Sequence, residues 1–168
     1  MEEIKGKHFE CIKEDNSEEE KEKQWQRSKV VFDQFYEYLK NKGLNEKTAV
    51  RRTDQAVFFI MNYLFVYDDV TNILGVSEET IRKFLGNWYI RKSWNPSFKG
   101  IKSILMGISS FYTFLKDKGF ISKRISRRLI SSKRRFRTTK KWRSCISNQK
   151  MKNQKESSKV EISMIAAK

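Results

Sequence analysis

The residues with the most obvious chemistry in this chain are its cations. Thirty-six Lys and Arg stand against 20 Asp and Glu, a net charge of +16. Residues 1–122 hold 20 basic and 18 acidic side chains, whereas residues 123–168 hold 16 and 2, a net of +14. Such a polycation is drawn to nucleic acid because it releases the counterions condensed on phosphates, so its affinity falls steeply with salt. Arg124, Arg127, Arg128, Lys133, Arg134, Arg135 and Arg137 are the tail candidates for phosphate contact. A solvated, unstructured end is the plain alternative. The one-sidedness of the charge favours nucleic acid.

Residues for other chemistries do not assemble. The single histidine, His8, sits in a polar N-terminal stretch and reads as a solvated surface residue. There is no Gly-rich phosphate loop, no His/Cys set at metal spacing and no plausible Ser-His-Asp arrangement, so no cofactor or metal is expected. Asp68-Asp69 reads as a surface turn. Cys11 and Cys145 lie in opposite polar end segments, which suits a reducing cytoplasm. The longest apolar run, Ala56 to Val66, has 11 residues and is interrupted by Asn62. A membrane crossing takes about 20. Met1 to Asp15 lacks an apolar signal core. A soluble cytoplasmic protein with no membrane partner is expected.

The elements that must position the cations are helical. One Pro and 7 Gly leave few breakers. Ser17 followed by Glu20 makes a capping box for a helix over 17–42, with Val31, Phe35, Tyr38 and Leu39 on its apolar face and Gly43 as its stop. Asn45 caps a second helix reaching Val66, polar at first (Glu46, Lys47, Thr48, Arg51, Arg52) and then apolar nearly all round. That second half should lie enclosed at the centre of the core. Ser77 opens a third helix whose stripe is Ile81, Phe84, Leu85, Trp88 and Tyr89. Asn95 or Ser97 opens a fourth. Ile101, Ile104, Leu105, Ile108, Tyr112 and Leu115 form its inner face; Lys99, Lys102, Ser103, Ser109 and Ser110 form its solvent face. The stretch from Phe35 to Leu44 echoes that from Phe111 to Phe120, which reads as two helix ends with a shared stop rather than a repeat. Beyond Ser122 hydrophobic density drops; Ile125 and Leu129, four apart, suit a short basic helix, and after Lys133 disorder without a partner is expected. The organisation is thus a polar extension over 1–16, a four-helix domain over 17–122 and a basic tail over 123–168.

The stretch Phe32 to Ser122 resembles the N-terminal core-binding domain of tyrosine recombinases, the phage-integrase and Xer-like enzymes. The matching pieces are Tyr38-Leu39-Lys40-Asn41-Lys42-Gly43-Leu44, then Asn45-Glu46-Lys47-Thr48 with Arg51 and Arg52, then Ile81 to Trp88, and Ile101 to Leu115 closing on Lys116-Asp117-Lys118-Gly119-Phe120. The resemblance implies an all-α, four-helix SAM-like domain forming one jaw of a clamp on double-stranded DNA. It implies DNA contact by the second and fourth helices, hence by Lys47, Thr48, Arg51, Arg52, Ser97, Lys99, Lys102 and Ser103, with the basic tail crossing the duplex. In that family a separate C-terminal domain cleaves DNA with a tyrosine nucleophile, arginines, a lysine and a His-x-x-Arg element. The 46 residues after Ser122 contain no Tyr and no His, so catalysis by this chain is not expected. The expected role is a non-catalytic module in DNA integration or recombination, nucleoid-associated, working with a recombinase catalytic subunit or other protomers. Two alternatives remain open: a protein-interaction module anchored by Trp94, Phe136 and Trp142, and an RNA or single-strand binder stacking bases on Phe136 and Trp142.

Overall fold

The computed structural model describes residues 4, 6–9, 17–67, 72–93, 96–124, 147–148 and 151. The fold is all-α, with four helices and no strand among the described residues. They are α1 (Glu18–Asn41), α2 (46–67), α3 (78–92) and α4 (Phe98–Asp117).

The expected caps form. Ser17 Oγ accepts the Glu20 amide at 3.3 Å, and the Glu20 carboxylate accepts the Ser17 amide at 3.2 Å. Asn45 caps α2 through the Thr48 amide, Ser77 caps α3 through Thr80 and Ser97 caps α4 through Gly100. Each cap satisfies a donor that the first helical turn leaves orphaned.

The two echoing segments end their helices identically. Gly43 and Gly119 take φ of 81° and 84°, a region open to glycine at no steric cost. Gly43 N–H donates to Lys40 O and Leu44 N–H to Leu39 O; Gly119 donates to Lys116 O and Phe120 to Leu115 O. Both are Schellman caps. They also lie side by side. Phe35 meets Phe111 at 5.3 Å, Tyr38 meets Phe114 at 5.3 Å, and Tyr38 Oη donates to Asp117 at 2.6 Å. Contacts therefore advance in the same sense along both chains, so α1 and α4 run parallel with their C-termini together. On α2, by contrast, Arg52 reaches Ser110 and Gln55 reaches Ser103. That descending order makes α2 antiparallel to α4.

Two helices depart from simple periodicity. Phe65 N–H donates to Ile60 O and Tyr89 N–H to Phe84 O, five residues back, so α2 and α3 each contain a π turn (Ile60–Leu64 and Phe84–Trp88). Each π turn inserts an extra residue and rotates the rest of its helix by roughly 100°. In α3 the buried stripe Ile81, Phe84 and Leu85 is therefore continued by Ile90, while Trp88 and Tyr89, expected on that stripe, are only half-buried. The second half of α2 is not enclosed on every side either. Phe59, Ile60, Tyr63 and Leu64 are buried, whereas Asn62 and Val66 are exposed.

The N-terminal stretch contributes to the core. Ile4, His8 and Phe9 are buried, and Phe9 packs edge-on against Phe120 at 4.9 Å. His8 is 1% exposed, which corrects its reading as a solvated residue. The apolar partners flanking it, Ile4 and Phe9, are too sparse in the sequence to register as a pattern.

Candidate nucleic-acid interface

The close approach of α2 to α4 organises the basic residues. At Gly107 a Cβ would stand 2.5 Å from Gln55 Cβ and 2.9 Å from the Arg52 carbonyl oxygen, so only glycine admits α2 at this depth. Arg52 Nη1 donates to Ser110 Oγ at 3.0 Å, and Gln55 Nε2 donates to Ser103 Oγ. Ser103, Gly107 and Ser110 thus form a small-residue line along α4 that receives the polar side of α2.

This seam revises part of the expected solvent face. Ser109 is buried, with its hydroxyl donating to Leu105 O at 2.7 Å. Ser103 and Ser110 are half-buried partners of α2, because α2 covers the side of α4 they occupy. Arg52 is likewise half-buried and engaged, and Ser97 spends its hydroxyl on the Gly100 amide at 3.0 Å. Thr48 is half-buried at the start of α2.

Four of the expected cations remain. Lys47, Arg51, Lys99 and Lys102 are exposed, and none of their side chains makes a hydrogen bond or ion pair with another described residue. Helical phase puts Lys47, Arg51 and Lys99 on the outer side of the seam, opposite the core-facing residues Ala49, Ala56 and Ile101, with Lys102 on its flank about 100° from Ile101. Residues 98–116 of α4 include no Asp or Glu. The seam therefore fixes two pairs of cations, one on each helix, in a shared frame. Arg124 is exposed beyond α4. Arg127, Arg128, Lys133, Arg134, Arg135 and Arg137 lie outside the described residues, as do Trp94, Phe136 and Trp142.

A different arrangement sits where α1 and α4 end. Asp117 accepts from Tyr38 and pairs with Lys116 at 2.8 Å and Lys42 at 3.9 Å, while Lys42 Nζ lies 5.3 Å from the Tyr38 ring centre. The hydrogen bonds from Lys116 and then Tyr38 hold the Asp117 carboxyl below its ordinary range. Burial, then the bond to Asp117, pushes the Tyr38 phenol well above its own.

Among the described residues there is no His/Cys/Asp/Glu group able to hold a metal ion, and no helix is long and apolar enough to cross a membrane. The seam residues Gln55 and Gly107 were not singled out by sequence reasoning. The spacing Ser103-x3-Gly107-x2-Ser110 on an otherwise apolar helix was the available signal. No family model, curated protein or solved structure matches the chain.

Proposed function

We propose that the four-helix body grips duplex DNA through the outer face of α2 and α4, as a non-catalytic module in DNA integration or recombination. The single observation supporting this reading most is the set of exposed cations without a partner, Lys47, Arg51, Lys99 and Lys102, on two helices locked by the Gly107 seam. A rigid cation frame suits phosphates at fixed spacing, and phosphate contacts set the register of a protein on DNA. Arg51 is the candidate for base contact, since an arginine fork matches the paired acceptors of guanine. Arg52, tied to Ser110, is a weaker candidate than its neighbour. The likeness of Phe32 to Ser122 to recombinase core-binding domains points the same way, with a catalytic subunit or further protomers as partners and the nucleoid as location.

Titration of labelled duplex with the full chain across a salt series tests the reading. Arg51→Ala, Lys99→Ala and Lys102→Ala together should lower affinity and flatten the dependence of log K on log salt by about 2, from Lys99 and Lys102 at roughly 0.9 per phosphate contact. An unchanged affinity and slope would remove the role assigned to this face.

A further inference from the structure

We infer that the end of the bundle where α1 and α4 finish is a second phosphate-binding surface, carried by Lys40, Lys42, Lys116, Lys118, Lys123 and Arg124, which extends the α2/α4 face along the same duplex. This rests on the proposed DNA reading. The duplicated Schellman caps bring it about. Because α1 and α4 run parallel and stop on matching turns, the Lys-x-Lys at each helix end, Lys40 and Lys42 beside Lys116 and Lys118, arrives at one place. Lys123 and Arg124 come directly after and are exposed.

Lysines at a helix C-terminus usually answer the helix dipole, so the charge balance decides whether any remains. Each C-terminus carries about −0.5 charge, roughly −1 for the two together. Asp117 adds a further negative charge, and it is already engaged by Tyr38, Lys116 and Lys42. Against these stand the six cations. The start of α2 lies at this end too, where Glu46 and Lys47 cancel, so a surplus of about +4 is left. Lys40, Lys118 and Lys123 are exposed and have no side-chain partner among the described residues. The opposite end of α1 is unlike this: its first turn is Glu18, Glu19 and Glu20.

Distance allows one ligand to meet both surfaces. From Lys99 to Lys118 the α4 axis rises about 28 Å at 1.5 Å per residue. Duplex DNA presents a charge about every 1.7 Å along its axis, so phosphates are available over that whole length. A small anion would have no reason to engage both ends of α4. A duplex would.

The test compares Lys40→Gln, Lys118→Gln, Lys123→Gln in the full chain with a charge-matched control, Arg27→Gln, Lys29→Gln, Lys83→Gln, on labelled duplex over a salt series. The end variant should flatten the slope by about 2 to 3 while the control keeps the parent slope, with both variants still unfolding cooperatively on heating. An end variant with the parent slope, or a control that flattens equally, would overturn the inference. The triple alanine variant of the α2/α4 face reports separately on the proposed function: loss there with none here leaves that reading standing and removes this one. The reverse result retains the helix-end surface alone. A parent that binds no duplex, or prefers single strands or RNA, overturns both.

Discussion

Along its first half α2 meets α4 through Arg52 and Gln55, which lie over Gly107 and bond to Ser110 and Ser103; along its second half it meets α3 through rings. There Phe84 lies 6.2 Å from Phe58, 4.9 Å from Phe59, 5.0 Å from Tyr63 and 5.5 Å from Trp88. The first seam has regular α geometry on both sides, whereas each helix of the second carries a π turn. Small residues let backbones approach and make relative position stiff. Large rings fill volume and set how much apolar surface leaves water. The difference teaches a division of labour: the aromatic seam buries large rings, and the small-residue seam sets the geometry of the cations above it.

The contrast breaks first at Phe84. It is fully buried at the hub of the aromatic seam, and Phe84→Ala should cost about 3–5 kcal/mol, the usual range for a ring removed from a core. Urea denaturation would read it, and a loss under about 1 kcal/mol would show that the aromatic seam repacks freely.

Gly107→Val should come next. The added Cβ meets Gln55 Cβ and the Arg52 carbonyl, neither of which is a mobile side-chain tip, so α2 must move. The expected stability loss is about 1–3 kcal/mol, typical of overpacking. On the proposed function, duplex affinity should fall by more than this loss alone explains, because Lys47 and Arg51 would shift relative to Lys99 and Lys102. Phe84→Ala, measured where it is still folded, should leave affinity nearly unchanged. Equal effects of the two variants on binding would erase the division of labour.

A smaller effect is expected at the hydroxyl of Ser110. Ser110→Ala removes the acceptor of Arg52 and should cost about 1 kcal/mol, since the guanidinium can turn to water. Its salt slope on duplex should stay at the parent value or steepen, because a cation is released toward the outer face. A flatter slope would mean that Arg52 acts only when held by Ser110.

The two seams were not equally legible in the sequence. Caps at Ser17, Asn45, Ser77 and Ser97 and stops at Gly43 and Gly119 depend on neighbours within a few residues, and all form as expected. The inner face of α4 was readable for the same reason. The π turns were not, because a register shift in α2 and α3 comes from fitting rings of distant residues, and a fixed 3.6 period put Trp88 and Tyr89 where Ile90 is buried. Ser103, Ser109 and Ser110 look like solvent residues by composition. Only the approach of α2 and the back-bond to Leu105 remove them from water. Among the cations, Arg51 and Arg52 are indistinguishable in the sequence, and one residue of helical rotation separates the free from the engaged.

The contact between α1 and α4 stands outside both seams and gives the finest measure of the comparison. Tyr38 Oη donates to Asp117 across it, in a partly exposed setting where screening keeps such bonds weak. Because the folded carboxyl titrates below its unfolded value near 3.9, its stabilisation is present above that pH and is lost as pH falls through the lower folded value. Asp117→Asn removes this dependence, so the stability difference between parent and variant should be constant above about pH 5 and shrink below pH 4. At the alkaline end the sign reverses. The Tyr38 phenol is held above its unfolded value near 10, so the unfolded chain ionises first and parent stability declines as pH rises past that point. Tyr38→Phe should abolish that share of the decline while leaving the acid limb nearly intact, since Lys116 is the larger influence on Asp117. Denaturant midpoints across pH for the parent and both variants would check it. If Tyr38→Phe flattened the acid limb as much as Asp117→Asn, the phenol across the helix contact, rather than the neighbouring Lys116 ammonium, would be the main influence on the Asp117 carboxyl.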